Sequence, residues 1–363
     1  MSIFYCIQSI PMNVQISEAI QVPVTIKDVA KYAGVSIATV SRVQNGIGQV
    51  SPETQKRVLA AIRQLNYIPN RVGQALQGQR HAALGIVFPD FSGPYYSGVM
   101  LGFENQAVTA GYSVVVLATH RRPESTQLIV DLAGRVDGLV MMDRTVSNDT
   151  VTDIARCGIP IVLLARSAIT GMPCVRCENR QAAEELVGHL NGEHGYRKFA
   201  FLGNPDLSFD VMERWQGIQS AIQQFHLPDP DLIRCEYRQA DGRQAAHDLL
   251  ASGQLPECLL CANDEVAFGV YQAMREAGKR IPQDVAVTGW DDVLTADLVD
   301  PPLTSVRQPT QQLGDVAAHT LLTMIEQTVK PLSSTILPSR VVFRHSCGCI
   351  GKGCEFRTEA LRP

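Results

Sequence analysis

Residues 24–79 read VTIKDVAKYAGVSIATVSRVQNGIGQVSPETQKRVLAAIRQLNYIPNRVGQALQGQ, and the caps and apolar spacing in this stretch predict three short helices. Thr25 followed by Asp28 is a capping-box-like start: the hydroxyl satisfies an orphan backbone N–H and the carboxylate reaches back. Val29, Ala30 and Ala33 then make one apolar stripe, and Gly34 ends the helix. Ser36 is placed to cap a second helix from Ile37 to about Gln44, with Val40 and Val43 facing inward and Ile37, Ala38, Ser41 and Arg42 outward. Two helices joined by A-G-V-S make a helix-turn-helix. The third opens with Ser51 as cap, Pro52 in the first helical position and Glu53 in the first turn, and buries Val58, Ala61, Ile62 and Leu65 behind the other two.

Charge separates this stretch from the rest of the chain. From Val24 to Arg80 eight Lys or Arg stand against Asp28 and Glu53, a balance of +6 in a chain of net −4; with Glu18 ahead of it, the remainder carries −9. Lys and Arg displace the counterions condensed on nucleic-acid phosphates, so the asymmetry places phosphate affinity at one end only.

VTIKDVAKYAGVSIATVSRV, VSPETQKRVLAAI and LNYIPNRVGQAL together resemble the DNA-binding head and hinge of the lactose/galactose-repressor (LacI/GalR) family of bacterial transcription factors. Carried over position by position, the resemblance implies base contacts in the major groove from Ile37, Ala38 and Arg42, and phosphate positioning by Thr25, Ser36, Thr39, Ser41 and Asn45. Arginine can bridge guanine O6 and N7, whereas Ile37 and Ala38 can at most meet a thymine methyl. The lactose repressor has an aromatic and an amide at that pair, so the DNA half-site is expected to differ there. Asn70 to Gln77 resembles the hinge helix, with Asn70 and Arg71 at its start and Leu76 as the apolar wedge that kinks the duplex. Gly73 stands where alanine is common; a mid-helix glycine costs up to ~1 kcal/mol, which predicts a hinge that folds on DNA.

From His81 to about Ile350, short apolar runs alternate with helical stretches: ALGIVF, SVVVLA, DGLVMM, IPIVLL, then KFAFLG, ECLLCA and DVAVTGW. Strands buried on both faces between helices read as parallel α/β sheets. The resemblance implies a two-lobed core like the periplasmic sugar-binding proteins, crossed by the chain near residues 178, 307 and 338. The expected whole is a small all-α helix-turn-helix head plus hinge helix, joined to a two-lobed α/β core with parallel sheets. Its divisions are a leader 1–23, head 24–69, hinge 70–80, core 81–350 and tail 351–363. Within the core, the N-lobe takes about 81–178 and 308–337, and the C-lobe about 179–307 and 338–350.

In such sheets a ligand sits outside the carboxyl ends of the strands. Those ends carry Asn263 and Asp264 (CANDE), Trp290 and Asp291 (TGWDD) and Gln308 (TSVRQ), and VMERWQG matches the family pattern with Arg214 as a cleft arginine. Carboxylates, amides and a guanidinium suit paired hydroxyls, and an aromatic face suits the apolar side of a sugar, the place where some members have the equivalent of Tyr237. Asn263 is expected to meet ligand and Asp264 to cap the following helix. From the N-lobe the candidates are Asp90, Phe91, Tyr95 and Asp143. The reading is a sensor: no G-x-S-x-G elbow, H-E-x-x-H, Walker A or post-strand G-x-G-x-x-G is present to make an enzyme, and no cofactor is expected.

Ten cysteines are present, of which Cys174 with Cys177 and Cys258 with Cys261 have C-x-x-C spacing. Both pairs fall in predicted strands, where residues three apart point to opposite faces, so neither is expected to chelate. The tail HSCGCIGKGC gathers Cys347, Cys349 and Cys354, with His345 as the nearest fourth donor. No metal site is assigned, and a metal or redox role for these thiols stays open. Residues 1–23 lack an export signal and read as a poorly ordered extension or an overcalled start, Met12 being a second candidate; no apolar run reaches membrane-spanning length. A cytoplasmic location is expected, where free thiols persist. The partners expected are a palindromic double-stranded DNA operator and a sugar-like effector, with a homodimer matching the operator's symmetry. No leucine heptad after Arg344 suggests the lactose repressor's tetramer-forming helix.

Overall fold

The computed structural model describes residues 24–45, 49–65, 80–91, 93–326 and 334–349. The chain divides into two compact units, Met1–Gln79 and Arg80–Pro363. The leader, the hinge candidates Asn70, Arg71 and Leu76, and the tail with Cys354 lie outside the described residues.

The first unit contains α1 (Ile26–Ala33), α2 (Ile37–Asn45) and α3 (Pro52–Gln64). The Asp28 carboxylate accepts from the Thr25 N–H at 2.8 Å and from its hydroxyl at 2.7 Å, and these bonds, the hydroxyl's foremost, hold it below the usual carboxylate range. Gly34 closes α1 in the left-handed region at φ 63°, the Ser36 hydroxyl accepts from the Thr39 N–H at 3.1 Å, and Ser51 caps α3 through the Thr54 N–H. Val29, Ala30, Ala33, Val40, Val58 and Ala61 close a small core, with Ile62 and Leu65 packed against it.

The second unit is built on two parallel sheets. The first runs β1 (Ala83–Phe88), β2 (Ser113–Ala118), β3 (Gly138–Met142), β4 (Ile161–Leu164) and β5 (Cys174–Cys177), joined later by β11 (Thr335–Leu337), in the order β11-β5-β4-β3-β1-β2. β1 is buried throughout, with Ile86 beside Val116 on one side and Val140 on the other. Alternate residues feed two helix-covered faces: Ile86, Phe88, Phe103 and Leu313 on one, Val87, Ile129, Leu139 and Leu163 on the other. The second sheet comprises β6 (Phe199–Leu202), β7 (Asp231–Ile233), β8 (Cys258–Cys261) and β9 (Ala286–Thr288) in the order β7-β6-β8-β9.

The helices are α4 (Tyr95–Thr109), α5 (Ser125–Ala133) and α6 (Asn148–Arg156) between strands of the first sheet. Then come α7 (Arg180–His194), α8 (Phe209–Gln224), α9 (Gln239–Ser252) and α10 (Asp264–Glu276) around the second, and α11 (Thr310–Glu326), which packs on α4, β3, β4 and β5. The chain leaves the first lobe after β5, returns through β10 (Ser305–Arg307) to α11, and after β11 crosses again into β12 (Arg340–Val342), which pairs antiparallel with β10. Among the described residues no helix is long and apolar enough to cross a membrane.

Candidate functional site

On the head, α2 presents Ile37 at 44 % exposure, with Ala38 and Arg42 also exposed and Thr39 and Ser41 half-buried. Thr25 and Ser36 stand at the starts of α1 and α2, where their side chains serve the caps. Asn45 ends α2. The base-reading candidates therefore share one uncovered helix face, and the cap residues hold the amino ends of the two helices.

In the core, a cleft opens between the lobes at the carboxyl ends of the strands. Eight of the ten cleft candidates line it: Asp90, Tyr95, Asp143, Arg214, Tyr237, Asn263, Asp291 and Gln308. Phe91 does not; it is 52 % exposed and packs at a tilt on Phe88, with ring centroids 5.7 Å apart. Trp290 does not either: at 3 % exposure it belongs to the C-lobe core, and its ring lies 4.6 Å beneath the Arg214 guanidinium. The aromatic of TGWDD thus supports the cleft arginine instead of offering a ligand its face, because the strained turn that follows sends Asp291 into the cleft and leaves the indole below.

The cap expected of Asp264 is made by Asn263, which also lines the cleft. Asn263 is the cap: its Oδ1 accepts from the Val266 N–H at 3.0 Å, and its Nδ2 donates to the Tyr237 carbonyl at 3.0 Å. Asp264, fully buried, accepts from the Ser305 hydroxyl at 2.6 Å and the Val293 N–H at 2.9 Å, tying the start of α10 to the segment after β9. The cap requires the extended backbone that Asn263 adopts (φ −154°, ψ 174°), and Asp264 already lies inside the helix. A side chain at Gly289 would collide with the Asp264 carboxylate, so this glycine permits the close approach.

Arg214 organises the floor. Its Nε donates to Asn179 Oδ1 at 3.1 Å and its Nη1 to the Ala262 carbonyl at 2.6 Å. The Asn179 amide in turn donates to Asp210 and to Glu213, 3.2 Å each, and Glu213 pairs with Arg176 of β5 at 2.7 Å. Burial pushes the Asp210 carboxyl up to about 6, against the opposing pull of Arg214. Asp291 is raised too, by burial first, although it accepts from Gln308 Nε2 at 2.6 Å. Its backbone sits at φ 110°, a region that costs a non-glycine residue of order 1–3 kcal/mol and is met mainly at functional sites.

Three buried atoms at the cleft have no hydrogen-bond partner among the described residues, the Tyr95 hydroxyl, Gln308 Oε1 and Arg144 Nε. Burial raises Tyr95 well above the ordinary phenol range, so it remains a neutral donor. An O–H donor and an amide acceptor left open beside the buried Asp210 and half-buried Asp291 carboxyls have the hydrogen-bonding chemistry to meet a hydroxyl-bearing molecule.

Contacts also span the cleft. Asp143 Oδ2 accepts from the Phe209 N–H at 2.9 Å, Arg121 donates to Glu236 at 2.6 Å, and the Arg144 guanidinium lies 4.5 Å over the Tyr237 ring. The Tyr237 face expected to stack on a ligand is therefore covered by Arg144, and its hydroxyl donates to the Asn204 carbonyl at 2.6 Å. Asp210, Arg144 and Glu236 line the cleft but were not singled out from the sequence. Asp210 could have been found, since it precedes Arg214 by one helical turn; Arg144 and Glu236 each adjoin a residue that was.

The model of the lacI family of bacterial regulatory proteins matches residues 25–70, and that of a periplasmic binding protein-like domain matches 187–347. Catabolite control protein A of Priestia megaterium is 31 % identical over 329 residues, covering 89 % of this chain and 99 % of its own. The lac repressor dimer bound to operator and the anti-inducer ONPF superposes with a TM-score of 0.79 at 31 % identity, covering 90 % of this chain and 99 % of that one. The complex of the transcriptional regulator CelR with cellobiose gives a TM-score of 0.65 at 28 % identity, covering 89 % and 99 %. Three helices in a helix-turn-helix head, two parallel sheets around a polar cleft and these matches agree: the chain belongs to the lacI family of bacterial regulatory proteins, DNA-binding regulators of transcription that are not enzymes.

Proposed function

We propose that the protein is a cytoplasmic repressor that binds a palindromic operator as a homodimer, and that a sugar-like effector in the interlobe cleft controls its affinity for DNA. The observation that carries this reading is the cleft itself. Its open Tyr95 hydroxyl and Gln308 Oε1 stand beside buried Asp210 and Arg214 and half-buried Asp291, and its two rims are held together by contacts a ligand can replace. Relatives support it: one is bound to operator and an anti-inducer, another to cellobiose. For the dimer, Leu101 and Val108 of α4 and Val115 and Val116 of the edge strand β2 leave large apolar side chains exposed on adjoining elements.

A ligand exchanging its hydroxyls for the cross-cleft contacts changes the angle between lobes, and a coupling of ~1–3 kcal/mol transmits that change to DNA affinity. The test is an anisotropy titration with a palindromic duplex selected from random sequence, repeated with sugars, sugar phosphates and nucleobases. At least one compound is expected to shift affinity about tenfold, which corresponds to ~1.4 kcal/mol, and to raise the melting temperature. Sedimentation should give twice the chain mass. Indifference to every compound in both assays removes the sugar-effector reading and leaves an effector-independent regulator.

Arg42, exposed on α2, is assigned a guanine. Arg42→Ala is expected to weaken the selected duplex by ~1–3 kcal/mol and to relax the preference at one base pair per half-site. A uniform loss over all sequences, read in the same titration with single-base variants, makes Arg42 a phosphate contact.

A further inference from the structure

We propose that His189, His194, Cys347 and Cys349 form a tetrahedral site for a zinc-type transition-metal ion, joining the end of α7 to the C-terminal segment of the second lobe. The four donor atoms lie within 4.8 Å of one another. Cys349 Sγ is 3.3 Å from His189 Nε2, 3.5 Å from His194 Nε2 and 3.5 Å from Cys347 Sγ. With Zn–S near 2.3 Å and Zn–N near 2.0–2.1 Å, the edges of a ligand tetrahedron run from about 3.3 to about 3.8 Å. The observed edges at Cys349 meet that requirement, and the two sulfurs are not joined to each other as a disulfide.

Charge argues the same way. His189, Cys347 and Cys349 are buried and His194 half-buried, a setting in which a net charge is costly. A divalent ion held by two thiolates and two neutral imidazoles sums to zero. Each ion bound releases the two S–H protons to solvent, and the Cys347 thiol gives up its contact with the Arg344 carbonyl, 3.1 Å away.

The surroundings hold these donors in place. The His189 ring stacks on Phe343 at 3.7 Å between centroids, and His194 stacks on Tyr196 at 5.6 Å. The Tyr196 hydroxyl donates to the Cys347 carbonyl at 3.2 Å. Ser346, between the ligands and the end of β12, donates to the Val287 carbonyl and accepts from the Thr304 N–H, anchoring the segment to the C-lobe core. Gly348, between the cysteines, sits at φ 106°, and a Cβ there would press on His194 Nδ1 at 3.2 Å and the Tyr196 hydroxyl at 3.3 Å. The turn that brings both sulfurs to the histidines strains any residue but glycine.

The sequence left a role open for three tail thiols with His345; the donors proposed here are two of those thiols and two histidines some 155 residues away. His189 and His194 are five apart, one more than the spacing of helical histidine ligands, and they meet because His194 is the last residue of α7 before the left-handed Gly195. None of the four lines the cleft, so the ion closes a structural staple and does not touch the effector.

The experiment is a cobalt titration of the full chain, purified with reductant and stripped with a chelator. One ion per chain is expected, with the intense visible bands of tetrahedral Co²⁺ and a thiolate-to-cobalt charge-transfer band, both abolished by added Zn²⁺. Zinc should also raise the melting temperature. Loss of an outer partner of a metal ligand already costs 10–100-fold in affinity, so Cys349→Ser and His194→Gln are each expected to cost at least about tenfold. Cys157→Ser, at an exposed thiol, should change nothing. His194 is half-buried, so His194→Gln serves if Cys349→Ser does not fold. The proposal is overturned if the reduced chain binds no cobalt, if the spectrum lacks sulfur charge transfer, if His194→Gln leaves affinity unaltered, or if Cys347 and Cys349 are found joined as a disulfide after reductive purification.

Discussion

Arg214→Ala is expected to destabilise the core by about 3–5 kcal/mol, the usual consequence of deleting one member of a buried charged network, and to abolish the response to effector. Arg214 is 5 % exposed, packed on Trp290 and bonded to Asn179 and the Ala262 carbonyl. Its removal leaves the Ala262 carbonyl and Asn179 Oδ1 short of a donor, uncovers one face of the indole, and strips Asp210 of the charge that opposes its desolvation. Arg214→Lys keeps the charge but loses the fork and the planar stack, so it should fall between wild type and alanine. Urea unfolding of the three proteins, followed by a probe of the second unit, checks this ordering. A loss under about 0.5 kcal/mol for alanine is the behaviour of a surface position and rules out a central role for the arginine.

That network also marks where the sequence was and was not legible. The head could be read residue by residue, because each feature is local: Thr25 meets Asp28, Ser36 meets Thr39 and Ser51 meets Thr54, all three residues apart. The parallel sheets were equally plain, since β1, β3, β4, β6 and β8 are buried along their whole length and their sequences are almost purely apolar. Individual roles in the cleft depended on distances that spacing does not carry. Trp290 and Asp291 are neighbours, yet one is a core residue under an arginine and the other a strained cleft carboxylate. Asn263 and Asp264 are both helix-capping types, and the choice between them turned on a one-residue difference in where α10 starts. Asn179, which links Asp210, Glu213 and Arg214, sits at the first lobe crossing, and only tertiary structure brings it to α8. The His189–Cys349 contact is further still beyond a local reading.

The second large effect is a gain in stability. Asp210→Asn is expected to stabilise the core by about 3 kcal/mol at pH 7.5, because each pH unit between the unfolded and folded pKa of a group is worth 1.36 kcal/mol and the shift here is about two units. The sign follows from the raised value. Below the unfolded pKa, near 4, Asp210 is protonated in both states and costs nothing; as pH rises toward 6 the unfolded chain ionises first, and folding loses stability until the folded carboxyl ionises too. The advantage of the amide should thus be full above pH 6 and vanish near pH 4, and urea unfolding of both proteins from pH 4 to 7.5 measures it. The amide oxygen can still accept from Asn179 Nδ2, so packing changes little. The cost should appear at the ligand: a hydroxyl-bearing effector that donates to Asp210 favours the ionised form, so wild-type affinity should fall as pH drops below 6, and the Asn variant should bind weakly at every pH. A difference in stability that does not vary with pH removes the assigned titration. A variant that responds to effector like wild type shows that Asp210 is buried for reasons other than ligand recognition.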